Sequence, residues 1–291
     1  MPSLPLTVEN AAAVERAAAA PFVEIDNVDL RYSEHADTHA LTALQMSVAK
    51  GEFAAVVGPS GCGKSSLMKL VTGLLPPTSG TLSVAGKKVM GPLKIVGMAF
   101  QNSTLLPWRN ILENTMLPLE IVQPHRAQLR SKRKEYEAIA RGLLESVGLA
   151  GFEKRQPWML SGGMQQRANL CRSLVHSPEL LMLDEPFGAL DAFTREELWA
   201  VLQDLWMQRR FTCILVTHDL REAAYLADVV YVMSARPGRV IATHRIDLPR
   251  PRTVASTFEP AFVDMVHRIR DQIAQARTPR KPSVGSEQGV A

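Results

Sequence analysis

Phe53-Ala-Ala-Val-Val-Gly-Pro-Ser-Gly-Cys-Gly-Lys-Ser65 is the stretch on which the architecture turns. Its first five residues form an apolar run too short for a helix, and the run ends in glycine. From Lys64 to Leu75 the apolar residues Leu67, Leu70, Val71 and Leu74 recur at helical spacing, which predicts a helix there. The order is therefore strand, glycine-rich loop, helix. Within it, Gly58 to Ser65 matches G-x-x-x-x-G-K-[ST] in the context that this pattern requires. Gly58, Gly61 and Gly63 allow the loop to wrap closely, so that its N–H groups can meet phosphates. Lys64 would neutralise β/γ charge, and Ser65 could ligate Mg²⁺. Pro59, Ser60, Cys62 and Ser66 complete the candidate contact surface.

The same reading extends outward. Leu180 to Leu183, Thr212 to Val216 and Val229 to Met233 are continuous apolar runs too short for helices, and they predict buried strands. Strands and helices then alternate, which argues for an α/β fold. The region from about 103 to 160 breaks this rhythm. There Tyr136, Ile139, Leu143 and Val147 recur at helical spacing beside the basic run Arg130-Ser-Lys-Arg-Lys134, which predicts an all-helical insertion with a solvated basic face. Phe262, Val266, Ile269 and Ile273 mark one more amphipathic helix. The expected division is a frayed segment over 1–20, a principal domain over 21–250, a helical extension over 251–276 and a frayed end over 277–291.

Composition narrows the class without deciding it. The 291 residues are 46% hydrophobic and 21% charged, as expected of a soluble chain that buries a large core. A net charge of +4 permits an anionic partner, whether nucleotide, membrane surface or nucleic acid. Cys62, Cys171 and Cys213 show no metal-ligand spacing and suit a reducing compartment. No stretch approaches the roughly 20 apolar residues of a membrane span, and the Ala-rich start carries Glu15 and Arg16 with no basic region before it. Any membrane part is expected to be another polypeptide.

Two further motifs carry chemistry. In Leu160-Ser-Gly-Gly-Met-Gln165, Ser161, Gly162 and Gly163 stand ahead of a helix, leaving N–H groups free to face an anion with the helix dipole behind them. Leu180-Leu-Met-Leu-Asp-Glu185 delivers two carboxylates to the C-terminal end of a strand, where α/β sheets place ligands. Asp184 would hold Mg²⁺ through water, and Glu185 would polarise the attacking water. Tyr32 offers an aromatic face on which adenine could stack.

From about residue 22 to 250 the chain resembles the ATPase subunits of ATP-binding-cassette importers, with all the nucleotide motifs in family order. The resemblance implies a P-loop NTPase fold, a RecA-like core with an antiparallel β subdomain and an inserted helical subdomain. It also implies roles for residues that mean little alone. His218 in Val216-Thr-His-Asp219 would contact the γ-phosphate, and Gln101 would reach the metal and the attacking water. Asp191 would belong to the loop that crosses a dimer interface, and Ser161, Gly162, Gly163 and Gln165 would hold the ATP of a second copy. Phe100-Gln-Asn-Ser-Thr-Leu-Leu-Pro-Trp-Arg-Asn110, Phe187 to Arg195 and Ser234-Ala-Arg-Pro-Gly-Arg239 resemble the branch serving nitrate, sulfonates, taurine or bicarbonate. The implied partners are a second copy, transmembrane permease subunits and, indirectly, an extracytoplasmic solute-binding protein, with the chain at the cytoplasmic face of the inner membrane. Two rivals are weaker. A nucleic-acid-directed cassette ATPase would need a coiled coil, zinc cysteines or a second cassette, and a P-loop kinase would have no use for the water-activating Glu185.

Overall fold

The glycine-rich loop leaves a strand at the middle of a six-stranded sheet, and the rest of the molecule is arranged around that point. The computed structural model describes residues 20–32 and 39–277. The expectations made for residues 1–20 and 277–291 therefore fall almost wholly outside the described residues. In chain order the elements are β1 (Val23–Leu30), β2 (Leu41–Val48), β3 (Phe53–Val57), α1 (Lys64–Val71), β4 (Ser79–Val84), β5 (Lys87–Lys88), β6 (Val96–Ala99), α2 (Ile111–Ile121), α3 (His125–Gln128) and α4 (Arg133–Ser146). They continue with α5 (Gly162–Leu174), β7 (Leu180–Asp184), α6 (Ala192–Arg209), β8 (Thr212–Thr217), α7 (Leu220–Leu226), β9 (Val229–Met233), β10 (Val240–Arg245) and α8 (Pro260–Arg277).

The large sheet has the order β10-β9-β3-β8-β7-β6, parallel except for its edge strand β10. A second, antiparallel sheet has the order β2-β1-β4-β5. The fold is thus the expected α/β P-loop architecture. Because strand side chains alternate between faces, each parallel strand feeds two cores. Phe53, Ala55, Val57, Leu181, Leu183, Cys213 and Leu215 pack with the helices, whereas Ala54, Val56, Leu180, Met182, Ile214 and Val216 pack toward the antiparallel sheet. All five residues of β3 are fully buried. At roughly 1.5–3 kcal/mol for each large apolar side chain buried, this double-sided packing makes β3 and β7 rigid supports for whatever follows their C-terminal ends.

Two expectations about helix faces need correction. The first helix stops at Val71, because the chain passes through Gly73 in the left-handed region at φ 76, and Leu74 beyond it is 53% exposed rather than packed. A Cβ on Gly73 would lie 1.9 Å from the Gly91 carbonyl oxygen, so the turn is sterically dictated. In α4, Tyr136 and Leu143 are buried with Ala140 and Leu144, but Ile139 lies on the outer side, 38% exposed. Its place in the periodic pattern was shared by Ala140, and the alanine faces inward.

The region between β6 and β7 is helical, with α2 packed on α5 and α4. Asn110 caps α2 in a reciprocal box with Glu113. Asn114 is fully buried and holds the preceding turn, accepting from Leu106 N at 2.7 Å and donating to the carbonyls of Leu106, Arg109 and Asn110. At the other end of the chain, α8 packs through buried Phe262 and Ile269 against α7, β9 and β10. No described helix is long and apolar enough to cross a membrane.

Candidate active site

Gly58 to Ser65 connects β3 to α1 and wraps the first turn of that helix. Gly63 caps it at φ 105, a conformation that a side chain would disfavour, and a Cβ there would lie 2.6 Å from Leu41. Lys64 is folded back into the loop, its ammonium donating to the carbonyls of Gly58 at 2.9 Å and Pro59 at 3.0 Å. Pro59 O also accepts from Cys62 N at 3.3 Å. Cys62 turns its thiol inward, and burial pushes that thiol's pKa up. Loop residues Ser60, Gly61, Gly63, Lys64, Ser65 and Ser66 form one wall of a cavity of about 350 Å³. Tyr32, Ala40, Glu185 and Arg236 form the remainder. The Tyr32 hydroxyl is 2.8 Å from Ser66 Oγ, and Lys69 Nζ stands 5.9 Å from its ring centroid. The ring is 56% exposed, anchored by its hydroxyl and open to a stacking partner.

The acidic pair follows β7 directly. Burial, with the Glu185 charge adding to it, raises the Asp184 pKa, and Lys64 and Lys69 oppose the rise. Glu185 has φ 45, uncommon for a residue with a side chain, and its N–H donates to Val216 O at 2.9 Å. That turn brings Glu185 Oε2 to 3.1 Å from Nδ1 of His218, which follows the neighbouring strand β8. Gln101 follows β6, and a Cβ on Gly188 would lie 3.3 Å from Gln101 Nε2 and 3.9 Å from Glu185 Oε2. Glycine at 188 therefore leaves room for the amide beside the carboxylate. The ends of three strands thus gather Gln101, Glu185 and His218 near one point. Ser65, Gln101 and Asp184 supply hydroxyl, amide and carboxylate oxygens, a hard donor set suited to Mg²⁺ when phosphates complete the shell. Among the described residues there is no cluster of three or more His, Cys, Asp or Glu that would make an all-protein metal cage.

Ser161, Gly162 and Gly163 are elsewhere. None lines the cavity of their own chain. Ser161 caps α5, its hydroxyl accepting from Met164 N at 3.3 Å. A Cβ on Gly163 would lie 2.4 Å from Thr194, so this end of α5 meets the start of α6. Asp191 caps α6, accepting from Thr194 N at 3.1 Å and Thr194 Oγ1 at 2.7 Å, and those bonds lower its pKa. Gln165 is occupied within its own chain, donating to the carbonyls of Pro157 and Leu160 and accepting from Ser103 Oγ at 3.1 Å.

Several residues at the site were not singled out by motif. Gln166 donates to Gln101 O at 2.5 Å, and Arg172 donates to Ser103 O at 2.8 Å and Thr104 O at 2.9 Å, so α5 grips the segment after β6. Arg195 links Leu190 O at 2.9 Å to Asp219 Oδ2 at 3.1 Å, joining the loop before α6 to the turn after His218. Glu222, in α7, accepts from Thr217 Oγ1 at 2.7 Å, and its pKa is pushed up to about 8 by burial. Glu222 had a readable signal, an acid embedded in the apolar segment Ala223-Ala-Tyr-Leu226. Arg195 and Arg172 had none, since Asp219 and the Ser103–Thr104 carbonyls that they join lie tens of residues away.

Residues 41–188 match the family model described as ABC transporter. The aliphatic sulfonates import ATP-binding protein SsuB of Bacillus licheniformis is 41% identical over 241 residues, covering 83% of this chain and 89% of that one. The taurine import ATP-binding protein TauB of Escherichia coli (strain K12) is 38% identical over 253 residues, covering 84% and 96%. Among solved structures, a dimeric ATP-binding cassette in a post-hydrolysis state bound to ADP and Pi aligns with TM-score 0.64 and 27% identity, over 78% of this chain and 100% of that one. The chain belongs to the ABC transporter family, as one of its ATP-binding, ATP-hydrolysing subunits.

Proposed function

We propose that this subunit pairs with a second copy around two ATP molecules and drives a separate permease that imports a sulfonate, taurine or a similar small solute. The observation that carries the catalytic part is the Glu185–His218 contact of 3.1 Å beside the phosphate-loop cavity. Glu185 accepts a proton from, or orients, a water approaching the terminal phosphate, and His218 holds that carboxylate while presenting its other ring edge to the γ-phosphate. Lys64 and the N–H groups of Gly61 to Ser66 bind the phosphates, while Tyr32 stacks on the base. Ser65, Gln101 and Asp184 would hold Mg²⁺, which when bound offsets phosphate charge. Ser161 to Gly163 of one copy cover the phosphates held by the other. ATP then acts through its different affinity for open and closed pairs, which is what shifts a conformational population.

The permease contact is assigned to the turn Leu105-Leu-Pro-Trp108, where Trp108 is 73% exposed immediately after the segment gripped by α5. The solute class rests on the names of SsuB and TauB, and the peripheral position at the cytoplasmic membrane face rests on the same relationship. The test is affinity purification of the tagged chain from detergent-solubilised native membranes, followed by ATP-driven uptake in vesicles holding the recovered complex. An integral membrane partner and uptake of taurine or an alkanesulfonate are expected. Recovery without a membrane partner, or transport of neither solute, overturns the reading.

A further inference from the structure

The stretch Ser234-Ala-Arg-Pro-Gly-Arg239 joins β9 to β10, and nothing in the catalytic reading uses it. It is far from the phosphate loop in sequence and pressed against it in space. Internally the turn is closed by Ser234, whose N–H donates to Arg239 O at 2.9 Å and whose Oγ accepts from Arg239 N at 3.1 Å. Externally, Gly238 N donates to Ala40 O and Thr42 N donates to Gly238 O, both at 3.0 Å. A Cβ on Gly238 would lie 2.0 Å from Cys62 O, so only glycine lets this turn lie against the loop that begins at Gly58.

A turn pinned on both sides fixes the direction in which Arg236 leaves it. Arg236 lies on the cavity wall with Tyr32, Lys64, Ser65 and Glu185. Its Nε reaches His39 O at 3.4 Å, and it forms no ion pair with any carboxylate among the described residues. Its planar fork of donors thus stands at the wall of a cavity whose other lining cation, Lys64, is a single ammonium. Polyphosphate oxygens are the ligand chemistry that such a fork matches.

We propose that Arg236 is a phosphate-binding residue of the nucleotide site, supplying from the same chain a second cation to the cavity that Lys64 lines. The inference rests on the assignment of ATP to the Gly58–Ser66 cavity and adds to it a contact from the β9–β10 turn. The chain thereby binds ATP with a residue outside the phosphate-loop motif, and the same stretch that marks its branch gains a role in nucleotide affinity.

Equilibrium titration of dilute protein with ATP and ADP separates this assignment from the one beneath it. Arg236→Gln is expected to weaken both nucleotides about ten-fold at low salt, with the gap narrowing at high salt because exposed charge contacts are screened. Arg236→Lys, which keeps the charge and the stem, is expected to recover most of the affinity. The side chain makes one long hydrogen bond, so the melting temperatures of both variants should match that of the unaltered protein. Unchanged affinity in Arg236→Gln overturns the proposal, as does a loss that salt does not reduce, which would mean packing rather than charge. Lys64→Ala in parallel reports on the underlying site. If it binds ATP normally the cavity itself is misassigned, whereas if it loses ATP while Arg236→Gln does not, only the Arg236 contact falls.

Discussion

Glu185 stands in a backbone conformation that costs about 1–3 kcal/mol for most residues with side chains, and neighbouring packing must hold it there. The Val216 carbonyl on its N–H and the rigid strand before it do so, and the result is a carboxylate turned toward His218. Glu185→Gln keeps the shape and removes the proton acceptor. It should lower phosphate release at least ~10²-fold, equivalent to about 2.7 kcal/mol of barrier, while ATP still binds in a filter or titration assay. Release near the unaltered rate would remove Glu185 from the chemistry. Glu222 makes a different prediction. An unfolded chain releases this proton near pH 4.5 and the folded one near 8, because burial opposes the charge, with the Asp219 and Glu185 charges adding to it and Arg195 countering. Between those values the folded state alone holds the proton, so this residue's contribution to stability falls as pH rises through that window and levels off above it. Glu222→Gln, still able to accept from Thr217, should therefore gain on the unaltered protein by at least about 2 °C in melting temperature between pH 5 and pH 8. A constant difference across that range would contradict a protonated Glu222.

At the scale of elements, α5 is the member that joins distant parts. Its first turn carries Ser161 to Gly163, its middle holds Gln101 O through Gln166, and Arg172 near its end binds the carbonyls of Ser103 and Thr104. A Cβ on Gly97 of β6 would lie 2.1 Å from Ser173 O, so strand and helix are in backbone contact as well. The segment 101–104 that leads into the turn at 105–108 is thereby hydrogen-bonded to the helix that Ser161 caps. Trp108→Ala should leave ATPase activity of the isolated subunit within a few-fold and abolish solute uptake in reconstituted vesicles. Normal uptake, or an unfolded variant, would assign Trp108 to something other than coupling. This level was the least legible in the sequence. Strand β3, its loop and α1 could be read because pattern and spacing act over a dozen residues, and β7 to β9 because buried parallel strands are apolar throughout. Leu74 and Ile139 were misplaced because periodicity does not register a left-handed Gly73 or the inward alanine at 140. The links made by Gln166, Arg172 and Arg195 arise from folding partners 65, 68 or 24 residues away, and no local pattern announces them.

At the scale of the molecule, the cavity wall holds Tyr32, the phosphate loop and Glu185 but no part of Ser161 to Gly163. That segment caps α5, with Ser161 and Gly162 exposed and Gly163 buried against Thr194. In Glu185→Gln protein, ATP should therefore produce a stable dimer by light scattering after size exclusion. Adding Ser161→Arg should leave ATP binding by the dilute monomer almost unchanged and prevent that dimer. If the second substitution instead abolishes binding by the monomer, both motifs serve one chain's own nucleotide and the shared arrangement is wrong. A cavity wall divided between two copies would have a kinetic consequence. When each copy carries only part of what encloses the phosphates, free subunits hydrolyse at a rate that grows with the square of their concentration while they are dilute, and the rate per copy levels off only when most are paired. A permease that holds two copies side by side would remove that dependence by raising their local concentration. The subunit would stay nearly idle when adrift and become active where transport is required.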